Sequence, residues 1–230
     1  MRHHWLNKAD NDKLIIFFGG WGYDHKPFEF LDCEDYDVVM FYDYSDISKL
    51  PTLNYQLSTI NLIAWSMGVF IAYCLKDRLP QFDQKIAING TPFPVDDEFG
   101  IPKRVFDLTL QHARTGLEGK FYKNVTGADY ERYLLSPVER SIENRVEELH
   151  ALSRHPAFIA GSQEMPQQVR HDDLFYDRAL IGAQDKIVPA KNQINFWAGR
   201  APYKLLDAGH FPFYNYTNWN DILGSELLCR

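Results

Sequence analysis

The sequence has few cysteines, and they lie far apart. Cys33, Cys74 and Cys229 are odd in number and show no metal-ligand spacing, which favours reduced structural thiols over a disulfide framework or a zinc site. The chain also lacks a Gly-x-Gly-x-x-Gly loop, a Walker-type loop, a His-x-x-x-His pair and any Cys/His cluster. We therefore expect neither a metal nor a cofactor.

Excess positive charge and long apolar runs are missing as well. The net charge is −7 and the pI is near 5.6, so no overall field favours nucleic acid or an anionic membrane as a partner. No apolar run approaches the length of a membrane span, and residues 1–12 lack the apolar core of a signal peptide. We expect a cytoplasmic monomer.

What is present predicts one α/β domain that spans residues 1–230. From residue 96 to residue 173 strand patterns are absent and helical patterns dominate, which predicts a helical cap inserted into a mostly parallel sheet. Apolar runs predict the strands of that sheet at residues 13–18, 37–42, 60–64, 84–92 (with its Gly/Pro turn), the start of 178–189, and 203–206.

The most informative stretch is Ala64-Trp65-Ser66-Met67-Gly68, which follows a strand pattern and precedes a helical one. A strand, a one-residue corner and a helix form a nucleophile elbow, whose flanking positions must be small. Ala64 replaces the usual first glycine and is still small. An ordinary strand-to-helix junction that contains a serine is the alternative. We interpret Ser66 as the nucleophile.

Glycines follow the first buried strand, in Gly19-Gly20-Trp21-Gly22. Glycines at such a place let the backbone approach a ligand and free an amide for hydrogen bonding. A plain turn is the alternative. Together with a serine elbow downstream, however, the segment predicts half of an oxyanion hole, with the backbone amides of Trp21 and Met67 as donors.

Two further residues complete a catalytic constellation with Ser66. Asp185 and His210 each follow a predicted strand, and the chain order Ser…Asp…His is that of α/β-hydrolases. His210 would take the Ser66 proton, and Asp185 would fix the tautomer of His210. Asp207 is the rival acid, but it precedes His210 by only three residues, so we prefer Asp185.

Several motifs together resemble the BioG-type family of esterases, which have the α/β-hydrolase fold. The resemblance runs through most of the chain and is carried by Gly19-Gly20-Trp21-Gly22, Phe41-Tyr42-Asp43-Tyr44, Ala64-Trp65-Ser66-Met67-Gly68, Asn89-Gly90-Thr91-Pro92, Asp96-Asp97-Glu98-Phe99-Gly100-Ile101-Pro102 and Asp185-Lys186-Ile187-Val188-Pro189.

The resemblance implies a substrate that the motifs alone do not. It implies hydrolysis of the methyl ester of pimeloyl-acyl carrier protein to pimeloyl-acyl carrier protein and methanol, in biotin biosynthesis. The residues alone leave a general short-chain carboxylesterase or thioesterase with the same triad as the alternative. A catalytically silent α/β-hydrolase fold that serves as a binding module is a third possibility.

The resemblance also implies where the substrate would bind. Trp65, Tyr42 and Phe211 are candidates for the wall of an acyl channel, with ordinary core packing as the alternative. Because acyl carrier protein is acidic, its docking site would be an arginine-bearing face of the cap. The candidates are Arg132, Arg140, Arg145 and Arg154, with Arg104 as a fifth. The cap carries a comparable number of acids, so a solvated helical surface is the alternative.

Overall fold

One mixed sheet of seven strands organises the residues that the structure describes. The structure, a computed structural model, describes residues 1–50, 57–156, 158 and 174–225. The strands are β1 (Arg2–Asn7), β2 (Lys13–Phe18), β3 (Tyr36–Tyr42), β4 (Thr59–Trp65), β5 (Gln84–Ile88), β6 (Arg178–Gly182) and β7 (Tyr203–Leu206). Their order is β1-β3-β2-β4-β5-β6-β7; β1 is antiparallel to β3, and the other neighbouring pairs are parallel.

Helices flank the sheet and fill the connection between β5 and β6. Among the described residues they are α1 (Met67–Cys74), α2 (Lys103–Gln111), α3 (Ala113–Glu118), α4 (Phe121–Thr126), α5 (Tyr130–Tyr133), α6 (Ile142–Ser153), α7 (Ala190–Trp197) and α8 (Trp219–Leu223). None of these helices has the length and apolar character that crossing a membrane requires. A mostly parallel sheet with flanking helices confirms the predicted α/β class.

The centre of the sheet follows directly from the sequence. β2 lies between β3 and β4, and its residues Leu14 to Phe18 are all at most 1% exposed. A strand covered on both faces must be apolar throughout, and this explains the unbroken run Leu14-Ile15-Ile16-Phe17-Phe18. Because β2 and β4 are parallel and in register, Phe18 at the carboxyl end of β2 lies beside Ala64 of β4. Phe18 comes immediately before the loop of glycines, and Ala64 lies two residues before Ser66.

Strand β1 was not predicted from the sequence. It pairs only with β3, at the edge of the sheet, and its residues are exposed or half-buried. Arg2, His3 and His4 therefore need no apolar character, and the strand carries no apolar run by which it could be recognised. Polar and charged residues on an edge strand also discourage pairing with another chain.

The segment between β5 and β6 contains helices α2 to α6 and no strand of the sheet among its described residues. We use the name cap for residues 103–153, which carry these helices. The sequence predicts a cap over residues 96–173, of which residues 157 and 159–173 lie outside the described part of the chain. Helix α6 differs from an ordinary amphipathic helix, since it buries Arg145 and Glu148 beside Leu149 and Leu152.

Candidate active site

Ser66 forms a sharp corner between β4 and α1, with φ 58° and ψ −124°. These angles are strained for any residue other than glycine, as expected at a nucleophile elbow. The corner closes because its neighbours are small. A Cβ atom on Gly68 would lie 2.3 Å from the carbonyl oxygen of Phe18, and one on Gly90 would lie 2.6 Å from that of Ser66.

The structure brings Ser66, His210 and Asp185 together. His210 Nε2 lies 2.8 Å from Ser66 Oγ, and His210 Nδ1 lies 2.8 Å from Asp185 Oδ2. An ionised carboxylate only accepts hydrogen bonds, so Nδ1 carries the proton and Nε2 is left to accept from the serine hydroxyl. Asp207 is exposed and accepts a hydrogen bond from Gln184 instead, at 2.7 Å.

The Asp185 carboxylate is held by hydrogen-bond donors from residues that follow it closely in the chain. Its Oδ1 accepts hydrogen bonds from the amides of Ile187 and Val188 at 2.8 and 2.9 Å, and Gln193 Nε2 donates to its Oδ2 at 3.0 Å. With His210, these groups point four N–H donors at a side chain that is fully buried. The arrangement fixes the direction of the carboxylate toward His210.

The loop that carries His210 is held by neutral side chains. The Trp65 indole and the Asn89 amide both donate to the carbonyl oxygen of His210, at 2.7 and 2.9 Å. Asn89 also donates to the carbonyl of Gly209 at 2.9 Å and accepts from the amide of Gly182 at 2.6 Å. One side chain thus joins the ends of β5 and β6 to the histidine loop.

The two amides predicted for the oxyanion hole flank the serine. The loop after β2 passes so close that a Cβ atom on Gly20 would lie 3.2 Å from Ser66 Cβ. Met67 is the first residue of α1, where an amide has no partner within the helix. In the part of the chain that the structure describes, the amides of Trp21 and Met67 donate to no other protein group. Both therefore remain candidates for the oxyanion hole.

A cavity of about 340 Å³ opens above the serine and is lined by Ser66, His210 and the cap. Its walls are mainly apolar, with Ile101, Phe106, Leu117, Phe121 and Val125 among them. A largely apolar pocket that also contains a few polar groups is suited to a hydrocarbon chain with a reactive head. Among the described residues, no group of three or more His, Cys, Asp or Glu side chains could hold a metal ion.

This site and fold are similar to those of known proteins. The crystal structure of BioG from Haemophilus influenzae superposes with a TM-score of 0.82 and 30% identity, over 96% of this chain and 98% of that one. A protein of Haemophilus influenzae is 33% identical over 215 residues, which cover 91% of this chain and 93% of the relative. Residues 1–222 match the family model described as pimeloyl-ACP methyl esterase BioG.

The chain belongs to the BioG family. It is a hydrolase with the α/β-hydrolase fold, as the sequence motifs predicted. A further relative is named malonyl-[acyl-carrier protein] O-methyltransferase, from Bacteroides fragilis. It is 35% identical over 188 residues, which cover 80% of this chain but only 36% of the relative, so the likeness concerns one part of that longer protein.

The aromatic residues predicted to contact the substrate occupy different places in this BioG chain. Trp65 lines the cavity. Tyr42 and Phe211 are not among the described residues that line it, and this contradicts their predicted role. Phe211 is 2% exposed because its ring turns into the core against Trp65 and Phe28. Tyr42 ends β3 and packs near His25 and the Arg140 guanidinium.

The docking prediction is wrong for two of the four arginines. Arg140 and Arg145 are 7% and 6% exposed, and their guanidinium groups bind partners inside the protein. Arg132 and Arg154 are exposed, as is Arg104. The guanidinium of Arg132 lies over the rings of Phe30 and Tyr214, at 4.9 and 4.3 Å.

Sequence reasoning missed several residues that support the site. Asn89 begins the motif Asn89-Gly90-Thr91-Pro92 near the end of a predicted strand, so its position could have indicated a role. Its hydrogen bonds to distant residues could not be predicted from the sequence. Tyr23 lines the cavity one residue beyond the glycine motif. Glu148 offered no signal, because a glutamate among charged residues in a helix pattern is ordinarily exposed to solvent.

Proposed function

We propose that this chain is a serine esterase that hydrolyses the methyl ester of pimeloyl-acyl carrier protein, releasing methanol and the free pimeloyl carboxylate, in biotin biosynthesis. The observation that carries the proposal is the hydrogen-bonded series Ser66–His210–Asp185 at the floor of an apolar cavity, in a chain of the BioG family. The family description supplies the substrate, and the geometry supplies a means of cleaving it.

The proposed mechanism has two half-reactions. Ser66 Oγ attacks the ester carbonyl while His210 Nε2 takes the hydroxyl proton, and the amides of Trp21 and Met67 stabilise the resulting oxyanion. His210 then gives that proton to the departing methoxide, so methanol leaves and Ser66 carries the acyl group. Water, deprotonated by His210, attacks the acyl-serine; the serine recovers its proton and the pimeloyl carboxylate is released.

The shape and lining of the cavity support an acyl substrate of this kind. A methyl leaving group is small, so the space around the serine need only accommodate the methoxy end of the chain. The polymethylene part would bury its CH₂ groups against Phe106, Leu117 and Phe121, at about 0.8 kcal/mol for each group removed from water. The thioester end would extend toward the mouth of the cavity and the carrier protein.

The relative from Bacteroides fragilis supports the carrier-bound methyl ester. Its name describes methyl transfer to malonyl-[acyl-carrier protein], and a segment of it is similar to this chain over 188 residues. An enzyme that removes a methyl ester from an acyl group on the same kind of carrier would act on a later product of such a transfer. The likeness therefore favours a carrier-bound substrate over a free ester.

Acyl carrier protein is the proposed partner, and the exposed arginines Arg104, Arg132 and Arg154 are the remaining candidates for its docking. Lys120 and Lys186 are exposed and also line the cavity, which puts positive charge beside the proposed path of the acyl chain. An acidic carrier would approach such a surface with electrostatic steering, which weakens as salt is added. We further propose that the enzyme acts as a cytoplasmic monomer.

The first experiment compares two substrates and two proteins. Wild type and Ser66→Ala are incubated with pimeloyl-acyl carrier protein methyl ester and with a short p-nitrophenyl ester, and product is measured by the mass of the carrier and by absorbance. We expect wild type to favour the carrier-bound ester strongly, and Ser66→Ala to lose about 10⁶-fold in kcat. Circular dichroism would verify that the variant is folded.

The other outcomes separate the parts of the proposal. Ser66-dependent cleavage of the small ester alone would keep the triad and reject the carrier-bound substrate, leaving a general short-chain carboxylesterase or thioesterase. Equal activity of wild type and Ser66→Ala would reject the serine mechanism itself.

A further inference from the structure

Helix α6 of the cap carries a carboxylate where a core-facing helix normally has an apolar side chain. The side chain of Glu148 is fully buried and lies 2.8 Å from Nη1 of Arg140, which is also buried. Burial raises the pKa of Glu148, and the Arg140 guanidinium opposes that rise. Removing a charged pair from water costs free energy, so such a pair is weak evidence of a role in stability alone.

Both oxygens of this carboxylate also bind backbone amides that lie outside the cap. Glu148 Oε1 accepts from the amide of Tyr44 at 2.8 Å, and Oε2 accepts from the amide of Gly22 at 3.3 Å. The Tyr44 hydroxyl lies 2.8 Å from the carbonyl oxygen of Gly19 and 2.9 Å from that of Phe41, and these two acceptors share its one hydrogen. The Glu148 carboxylate therefore binds the loop 19–22 directly at Gly22, and it is connected to the other end of the loop, at Gly19, through Tyr44.

Other groups of the cap bind the same loop. The Tyr122 hydroxyl donates to the carbonyl of Gly22 at 2.9 Å, and the Trp21 indole donates to the carbonyl of Arg145 at 2.9 Å. Burial raises the pKa of Tyr122 to about 12, so its hydroxyl stays protonated and remains a donor at neutral pH. The loop that follows β2 is thus fastened on its cap side by side chains from α4 and α6.

These contacts occupy one amide of the loop and leave its neighbour without a partner among the described groups. The amide of Gly22 is occupied by Glu148, and the φ of 77° at Gly22 turns the chain at that point. The amide of Trp21, one residue earlier, donates to none of the described groups, and Trp21 lines the cavity with Ser66. Glu148 fixes the peptide plane between Trp21 and Gly22, whereas the Trp21 amide belongs to the plane before it. The two planes meet at the Cα atom of Trp21, and the hydrogen bond from the Trp21 indole to Arg145 restrains the residue at that joint.

We propose that Glu148 is a positioning residue of the oxyanion hole, and that through it the cap sets the direction of the Trp21 amide. The proposal deepens the proposed function and rests on its serine mechanism, but not on the identity of the acyl group. Three N–H donors converge on Glu148, from Gly22, Tyr44 and Arg140, and only a carboxylate can accept all of them. A glutamine in its place would turn an NH₂ group toward one of these donors.

The test is Glu148→Gln, with Glu147→Gln as the matched control. Glu147 lies on the same helix and is exposed, so the control makes the same chemical change where the loop is not contacted. With the p-nitrophenyl ester as substrate, we expect kcat of Glu148→Gln to fall about 10- to 100-fold while KM changes less than threefold. The control should keep both within a factor of two.

A second readout reports the oxyanion hole alone. A boronic acid inhibitor forms a tetrahedral adduct on Ser66 whose oxygen occupies the oxyanion position, and its affinity should fall by the same factor as kcat/KM in Glu148→Gln. A merely structural role would lower the melting temperature without this parallel loss. A melting curve for each variant therefore accompanies the kinetics.

Several results would overturn the proposal. They are an unchanged kcat in folded Glu148→Gln, a rise in KM with kcat preserved, or unchanged boronate affinity. If Glu148→Gln does not fold, Tyr122→Phe must show the same pattern at smaller amplitude, and its absence rejects the proposal equally. Because the substrate is a small ester, failure on pimeloyl-acyl carrier protein methyl ester would leave this test intact.

Discussion

The two halves of the active site are held in different ways. The triad stands on the carboxyl ends of the strands, and the histidine loop is fastened by neutral donors, the Trp65 indole and the Asn89 amide. The loop 19–22, which carries the Trp21 amide, is bound by the cap. The Glu148 carboxylate, paired with Arg140, accepts from the Gly22 amide, and the Tyr122 hydroxyl donates to the Gly22 carbonyl. One half depends on the sheet, whereas the other depends on a separate layer of helices.

This difference separates two requirements of the chemistry. The nucleophile and its base need a fixed mutual distance. Ser66 follows β4 and His210 follows β7, with β5 and β6 between them in the sheet, and the side chains of Trp65 and Asn89 hold the histidine loop at that distance. The oxyanion donor must instead fit the proposed substrate, for which the cavity lies between Ser66 and the cap. A loop bound by the cap connects the shape of the acyl pocket to the direction of the Trp21 amide. Substitutions in the two halves should therefore differ in size and in kind.

The largest effect after loss of the nucleophile is expected on the triad side. In Asp185→Asn, the amides of Ile187 and Val188 would keep the side-chain oxygen at the Oδ1 position. The NH₂ group would then replace Oδ2 and face His210 Nδ1, which favours the histidine tautomer protonated at Nε2. We expect kcat to fall about 10⁴-fold with little change in stability. Asp207→Asn is the control, because Asp207 is exposed and bonded to Gln184. A larger loss in the control would show that the wrong acid is assigned.

Asn89→Asp tests how strongly the sheet side depends on its neutral support. The carboxylate keeps an acceptor for the Gly182 amide but turns an oxygen toward the carbonyls of Gly209 and His210. We expect the free energy of unfolding in urea to fall by about 3 kcal/mol and kcat to fall about 10- to 100-fold.

Asn195→Asp is the control for this substitution. Asn195 is exposed on α7 and donates to the carbonyl of Glu98 at 3.3 Å, so the same change there should cost little. Equal losses of stability in the two variants would mean that the added charge, rather than the histidine loop, accounts for the effect at Asn89.

The same contrast explains what could be predicted from the sequence. The central strands and the order Ser66, Asp185, His210 were predictable because apolar runs mark buried strands, and parallel strands bring their carboxyl ends to one edge. β1 was not predictable, since an edge strand can be polar. The cap-side contacts were not predictable either, because Gly22 and Glu148 are 126 positions apart and their contact depends on how two layers pack.

The errors have the same physical origin. A charged residue in a helical pattern was assigned to the surface by default, and this misplaced Arg140 and Arg145, which are buried with internal partners. Aromatic residues near the histidine were assigned to the pocket, although Phe211 packs into the core. Neither one-dimensional spacing nor residue type reports which face of a cap helix meets the sheet.

The smallest effect is expected from removing a single hydroxyl group on the cap side of the site. Tyr122→Phe removes the donor to the Gly22 carbonyl and the acceptor for Arg145, while Glu148 still holds the Gly22 amide. We expect kcat to fall about two- to fivefold with KM unchanged, and the free energy of unfolding to fall by about 1 kcal/mol.

Tyr130→Phe is the matched control for that hydroxyl, because Tyr130 lies in the next cap helix and its hydroxyl binds none of the described residues. If Tyr122→Phe reduces kcat more than Asn89→Asp does, the cap rather than the sheet dominates the geometry of the site. If it behaves like Tyr130→Phe while folded Glu148→Gln loses kcat as expected, the Gly22 carbonyl needs no support from α4, and the positioning of the loop rests on Glu148 alone.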